Sequence, residues 1–177
     1  MILDRLAQFS SNQNLAQIVG TYASTDQLDL HMAGIPVLAN LVGARDMGIG
    51  DDPALKVLCQ VQTAFVSGGG GTLQVFFQGS TDDGTGAAAG YNTWWSSPLY
   101  AAATLVIGAR LMDIDFPRPP DGIAVPRFVR LLYTIGAATT TAGQVGAWIV
   151  LDRLDQMYQS TQNAVLGGYP PGIVIAN

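Results

Sequence analysis

With 177 residues, 49% of them hydrophobic and only 12% charged, the chain has room for one domain with a self-sufficient core and no room for a second. A formal charge of −5, a pI near 4.4 and arginines scattered singly exclude a basic tract able to neutralise a row of phosphates, so no direct nucleic-acid ligand is expected. The charged share is about half the ~25% of an ordinary soluble domain, which implies that a partner covers part of the surface.

No Glu occurs and Lys56 is the single lysine, which removes two strong surface helix formers. The 21 Gly and the runs rich in Thr, Val and Gln favour strands joined by tight turns, and the chain reads as all-β. Cys59 is the only cysteine. An intrachain disulfide is therefore impossible, and assembly in a reducing cytoplasm fits. The opening Met1-Ile-Leu-Asp-Arg-Leu-Ala-Gln-Phe9 lacks the basic start and apolar centre of a signal peptide, so export is not indicated.

Residues 1–15 are expected to form an N-terminal arm, with Leu3, Leu6 and Phe9 spaced by three for docking on a partner. Residues 18–22 and 27–32 suit edge strands, and 33–40 form an apolar loop containing Pro36. Turn residues at 45–53 precede the clearest strand, 55–66, where Leu55, Val57, Cys59, Val61, Thr63 and Phe65 share one face. Four glycines, 68–71, are expected to turn the chain into strand 72–79 as a hairpin.

A loop of small residues follows at 80–90, and Tyr91, Trp94 and Trp95 open the next element. Further strands are expected at 105–107, 110–116, 127–135 and 145–153. The uncharged stretch 131–151 has the length of a membrane span, but its polar centre, 136–144, breaks it into strand, turn, strand. No membrane association is expected. The domain is placed at 16–153, with a Gln- and Pro-containing C-terminal tail over 154–177. About eight strands between turn signals imply a two-sheet β-sandwich, most simply of jelly-roll topology with extended N- and C-terminal arms.

Candidate chemistry is sparse. His31 is the sole histidine and nothing near it has metal-ligand or nucleophile spacing; it reads as a strand-surface residue. Cys59, on the apolar face between Val57 and Val61, reads as core packing. The pairs Asp51-Asp52, Asp82-Asp83 and Asp113 with Asp115 raise glycoside hydrolysis, but sequence neighbours point apart on a strand, and an exposed strand face accounts for Asp113 and Asp115. Asp82-Asp83-Gly84 and Asp121-Gly122 read as turns and lack the ligand spacing of a calcium loop. Glycines 68–71 are followed by no Lys-Ser or Lys-Thr, so they form no phosphate loop. Adjacent Trp94 and Trp95 must face opposite ways on an extended strand, leaving one to reach outward. No catalytic residue, metal site or cofactor is expected.

Taken in order, Met1-Ile-Leu-Asp-Arg-Leu-Ala-Gln-Phe-Ser-Ser-Asn-Gln13, Leu28-Asp-Leu30, Ala44-Arg-Asp-Met-Gly-Ile-Gly50, Leu55-Lys-Val-Leu-Cys-Gln-Val61 and Thr72-Leu-Gln-Val-Phe-Phe-Gln78 resemble the jelly-roll capsid cement (decoration) proteins of podophage-type tailed bacteriophages. Arg127-Phe-Val-Arg-Leu-Leu-Tyr-Thr-Ile-Gly136, Thr141-Ala-Gly143 and Leu151-Asp-Arg153 resemble that family's final hairpin. Residues 33–40, which look like an insertion, and the tail after Arg153 depart from the pattern.

The resemblance implies a protein that binds the outer surface of a major capsid protein shell and bridges capsomers, as a homodimer or other small oligomer. It would reside on the outside of the virion after assembly in the bacterial host cytoplasm. Leu3, Leu6, Phe9, Trp94, Trp95, Tyr169, Ile173, Val174 and Ile175 are the expected contacts with capsid or partner copy. Two rival readings remain: a lectin-like or receptor-binding sandwich stacking sugars on Tyr91, Trp94 and Trp95, and a hydrolase using Asp113 or Asp115.

Overall fold

A computed structural model of the protein describes residues 7–30, 55–124, 126–151, 159–160 and 163–164. Two antiparallel sheets face each other. The first comprises β1 (Gln8–Asn14), β4 (Leu55–Ser67), β8 (Arg110–Asp115) and β10 (Thr140–Leu151), in the order β1-β10-β4-β8. The second comprises β2 (Gly20–Ala23), β3 (Leu28–Asp29), β5 (Thr72–Ser80), β6 (Asn92–Ser96), β7 (Tyr100–Ala101) and β9 (Phe128–Gly136). Its path is β2-β9-β5-β6, with β3 added to β9 and β7 to β5. A short 3-10 turn occupies Ala102–Thr104, and β11 (Gln159–Ser160) pairs with β12 (Asn163–Ala164) as a separate ribbon.

Period-two patterning builds the interior as the sequence requires. Val57, Cys59, Val61 and Phe65 of β4 are buried, as are Val145, Ala147 and Ile149 of β10. Facing them are Leu73, Val75 and Phe77 of β5 with Val129, Leu131, Tyr133 and Ile135 of β9. Each such side chain withdrawn from water contributes on the order of 1.5–3 kcal/mol before chain entropy is charged against it. Phe77 joins the layers: its ring meets Phe9 edge-on at 6.0 Å and Phe116 at 5.2 Å. Tyr133 crosses the core as well. Its hydroxyl lies 2.9 Å from Ser10 Oγ on the opposite sheet and also engages the Cys59 thiol.

The structure corrects several expectations. Glycines 68–71 do not close a hairpin, because β4 lies in the first sheet and β5 in the second. The same holds for β9 and β10. Each turn carries the chain across the core, and pairing partners come from far along the sequence: β4 with β10 and β8, β5 with β9. Only the steps β2 to β3 and β5 to β6 to β7 stay within one sheet. Alternation tells which face a strand buries but not which strand lies beside it, so both readings fitted the pattern.

Residues 105–107 form no strand. Leu105 is buried while Val106 and Ile107 are exposed beside a turn. The second half of the expected N-terminal arm is β1, an edge strand of the sandwich paired with β10. Among the described residues no helix is long and apolar enough to cross a membrane, and 131–151 lies in β9, a turn and β10.

Candidate interaction surfaces

Of the contact residues expected from sequence, Phe9 is 0% exposed and packs against Phe77, so it belongs to the core and not to a docking arm. Leu3, Leu6, Tyr169, Ile173, Val174 and Ile175 lie outside the described residues, as do His31 and the pair Asp51-Asp52. Trp94 and Trp95 do not point to opposite faces. An irregularity in the β5–β6 pairing, where Phe77 meets Trp95 but Gln78 meets Thr93, breaks the alternation, and both indoles rest half-buried against the core. Trp94 lies 5.8 Å from the Phe77 ring and directly over Gly79, where an added Cβ would come within 2.1 Å of it.

The other candidate groups also have structural partners. Burial pushes the Cys59 thiol up to about 12, although its hydrogen bond with Tyr133 pulls the other way, so at neutral pH it is an inert thiol. Asp115 pairs with Lys56, and Asp113 accepts a hydrogen bond from Arg110 at 2.9 Å. Among the described residues no cluster of three His, Cys, Asp or Glu side chains is placed to hold a metal.

At one end of the sandwich the 81–91 loop is fixed by polar side chains. Asp82 Oδ1 accepts from the Gly84 and Gly86 amides at 2.8 and 3.0 Å, and Asp83 Oδ1 accepts from the Thr85 amide and hydroxyl, both at 2.7 Å. These donors hold both carboxyls below the usual aspartate range. Arg127, at the start of β9, donates to both carboxylate oxygens of Asp29 at 3.0 Å and also to Asp82, tying β3, the loop and β9 together.

Beside this clasp, Arg130 lies 3.6 Å from the centre of the Tyr91 ring and donates to Gln78, while the Tyr91 hydroxyl donates to Gln27. Of the three aromatic groups that a sugar platform would offer, Tyr91 is thus engaged by Arg130 and Gln27, and Trp94 and Trp95 rest against the core. This geometry does not favour the lectin-like reading.

The opposite end is chemically different. There the four connections 15–19, 68–71, 97–109 and 137–139 come together, as the pairings Gly20 with Ile135, Thr72 with Gly136, Thr72 with Ala101 and Thr140 with Ser67 require. None of these connections contains Asp, Glu, Lys, Arg or His. Ile18, Val19, Val66 and Leu99 are exposed at this end, and Val106 and Ile107 are exposed along the adjoining edge of β4, where Gly108 N donates to Val61 O; Ile107 is 71% and Ile18 69% exposed. Sequence reasoning began the 18–22 strand two residues before β2 and took 105–107 for a strand, and so missed Ile18, Val19, Val106 and Ile107 as exposed residues. A signal was present nonetheless, since no charged residue occurs between Asp83 and Arg110.

The sandwich also matches a known protein family: the model for Bbp16 aligns with residues 9–149. The chain belongs to the Bbp16 family. Bbp16 is a phage-associated family, and its match takes in nearly all of β1, the strands β2 to β9 and most of β10, stopping short of β11 and β12. The family assignment therefore rests on the two-sheet body described above. A search of curated proteins finds no match.

Proposed function

We propose that this Bbp16-family protein is a capsid cement protein, binding the outer surface of a major capsid protein shell and bridging capsomers to stabilise the mature phage head. The observation that carries the reading is that the match to a phage-associated family coincides with the sandwich itself. The strand order supports it further. With β1-β10-β4-β8 against β2-β9-β5-β6 and six of the nine connections from β1 to β10 passing between sheets, the path agrees with a jelly roll, an architecture recurrent in viral capsid domains.

The mechanism is linkage. A clamp that binds the assembled shell but not free coat subunits shifts the equilibrium towards the shell. Repetition over a symmetric lattice, with the protein acting as a homodimer or other small oligomer, lets weak contacts sum to durable attachment. Such a role uses no catalytic residue or cofactor, and the protein would lie on the virion exterior after assembly in the host cytoplasm.

The test is co-sedimentation with heads purified from the encoding phage after disruption of this gene, followed by a reconstruction of the decorated particle. Saturable binding to the outside, with heads surviving higher temperature, is the expected result. Density inside the shell, or none at all, overturns the reading.

A further inference from the structure

We infer that the uncharged end of the sandwich is the face pressed onto the shell, and that the coat surface receiving it is itself neutral. This inference rests on the capsid reading above and specifies its contact. Four aliphatic side chains, Ile18, Val19, Val66 and Leu99, stand in water at this end, and Val106 and Ile107 continue the exposed apolar surface along the adjoining edge of β4; of the seven large apolar residues exposed in the described structure, only Ile123 lies elsewhere. Clustered apolar exposure of this kind marks an interaction site, because covering it returns about 25 cal/mol for each Å².

Charge decides the kind of occupant. Nucleic acid or an anionic lipid surface requires cations, and the four connections here carry none. A charged protein patch would be stripped of water against side chains unable to answer it. A neutral protein surface of aliphatic, hydroxyl and amide groups is the complement that remains.

Two further features fit this occupant. At the tip of the 68–71 crossing, a Cβ added to Gly68 or Gly70 would meet nothing within 4 Å, so bare backbone is open to a partner's hydrogen bonds. At the far end, Asp29, Asp82, Arg127 and Arg130 are engaged with neighbours in the chain, which leaves that end ionic and hydrated. The molecule is polarised, with an adhesive end and a wet end.

The experiment uses gene-disrupted heads of the encoding phage and compares the wild-type protein with Ile107→Asp, Ile18→Asp and Ile123→Asp, folding being checked by circular dichroism. All three sites are exposed, so the variants are expected to fold. Head affinity should fall more than about tenfold for Ile107→Asp and Ile18→Asp, each of which forces an unpaired charge into the contact. Ile123→Asp should bind as the wild type does. Wild-type attachment should change little between about 0.05 and about 0.5 M salt, because apolar contacts are not screened.

Loss of binding in Ile123→Asp alone, or steep weakening with salt, overturns the inference while leaving the cement reading intact. So does a result in which Ile107→Asp abolishes self-association but not head binding, since the occupant would then be a second copy. Failure of the wild-type protein to attach at all sinks the parent reading and this inference with it.

Discussion

At one end of the sandwich, the 81–91 loop and the start of β9 are tied by Arg127 to Asp29 and Asp82. At the other, Leu15, Phe65 and Leu105 fill the interior while backbone hydrogen bonds tie the connections to the strands, Leu15 N to Gly143 O at 2.9 Å and Phe65 N to Leu105 O at 3.0 Å. The same strands run through both ends, yet one is braced by charges that satisfy each other and the other by burial, main chain and the uncharged hydroxyls of Ser67 and Thr140. The braced charges spend their bonding capacity within the chain, whereas the end held by burial leaves its outermost aliphatic residues facing water. A region's chemistry for partners is set by what its own folding has left over.

Cutting into the interior of the uncharged end should have the largest effect. Phe65 is buried with its ring over Gly143, and Phe65→Ala is expected to cost about 3–5 kcal/mol by denaturant titration. A smaller loss would mean that the end is held mainly by its backbone bonds. Next is the apolar brace at the charged end. Gly79→Ala drives a methyl into the Trp94 indole, with an expected cost of about 1–3 kcal/mol and a shift in tryptophan fluorescence.

The polar brace should give a local effect. In Arg127→Ala, amide exchange in the 81–91 loop is expected to rise about tenfold or more with the core amides unchanged; uniform acceleration would show that the clasp supports the whole fold. Acid should reproduce this in the wild type. Asp82 and Asp83 titrate below the ordinary aspartate value, so their contribution is complete above about 3.9 and is lost as the pH falls below that through their own lower values. Smallest is Ile107→Ser on the exposed edge beside the uncharged end, which should leave stability within about 0.5 kcal/mol. A larger drop would place Ile107 among the supports of the fold and not on a free surface.

Sequence pattern revealed a good deal of this. The all-β class, the two-sheet sandwich and the buried faces of β4, β5, β9 and β10 follow from alternation, because Val61, Leu73, Ile135 and Val145 each sit between neighbours that are polar or glycine. Pairing was not legible, since a turn of four glycines is compatible with a hairpin and with a crossing between sheets. The placement of Trp94 and Trp95 was hidden by an irregularity that leaves no mark in composition. Phe9 was misread because three apolar residues at a spacing of three fit an arm, while its burial depends on β10, well over a hundred residues later. The exposed end was half visible: the missing charge could be read, but the meeting of four separate connections is a property of the folded path.

The pairing of β1 with β10 has a consequence for how the protein is made. β1 must wait for β10, and β4 waits for the same mate, so the first sheet cannot be completed before β10 has been made. Closure is slow, as for other folds dominated by distant pairings, on a scale of milliseconds to seconds. A polypeptide stopped short of Thr140 would lack the strand that β1 and β4 share, leaving the edges of both open to neighbouring chains.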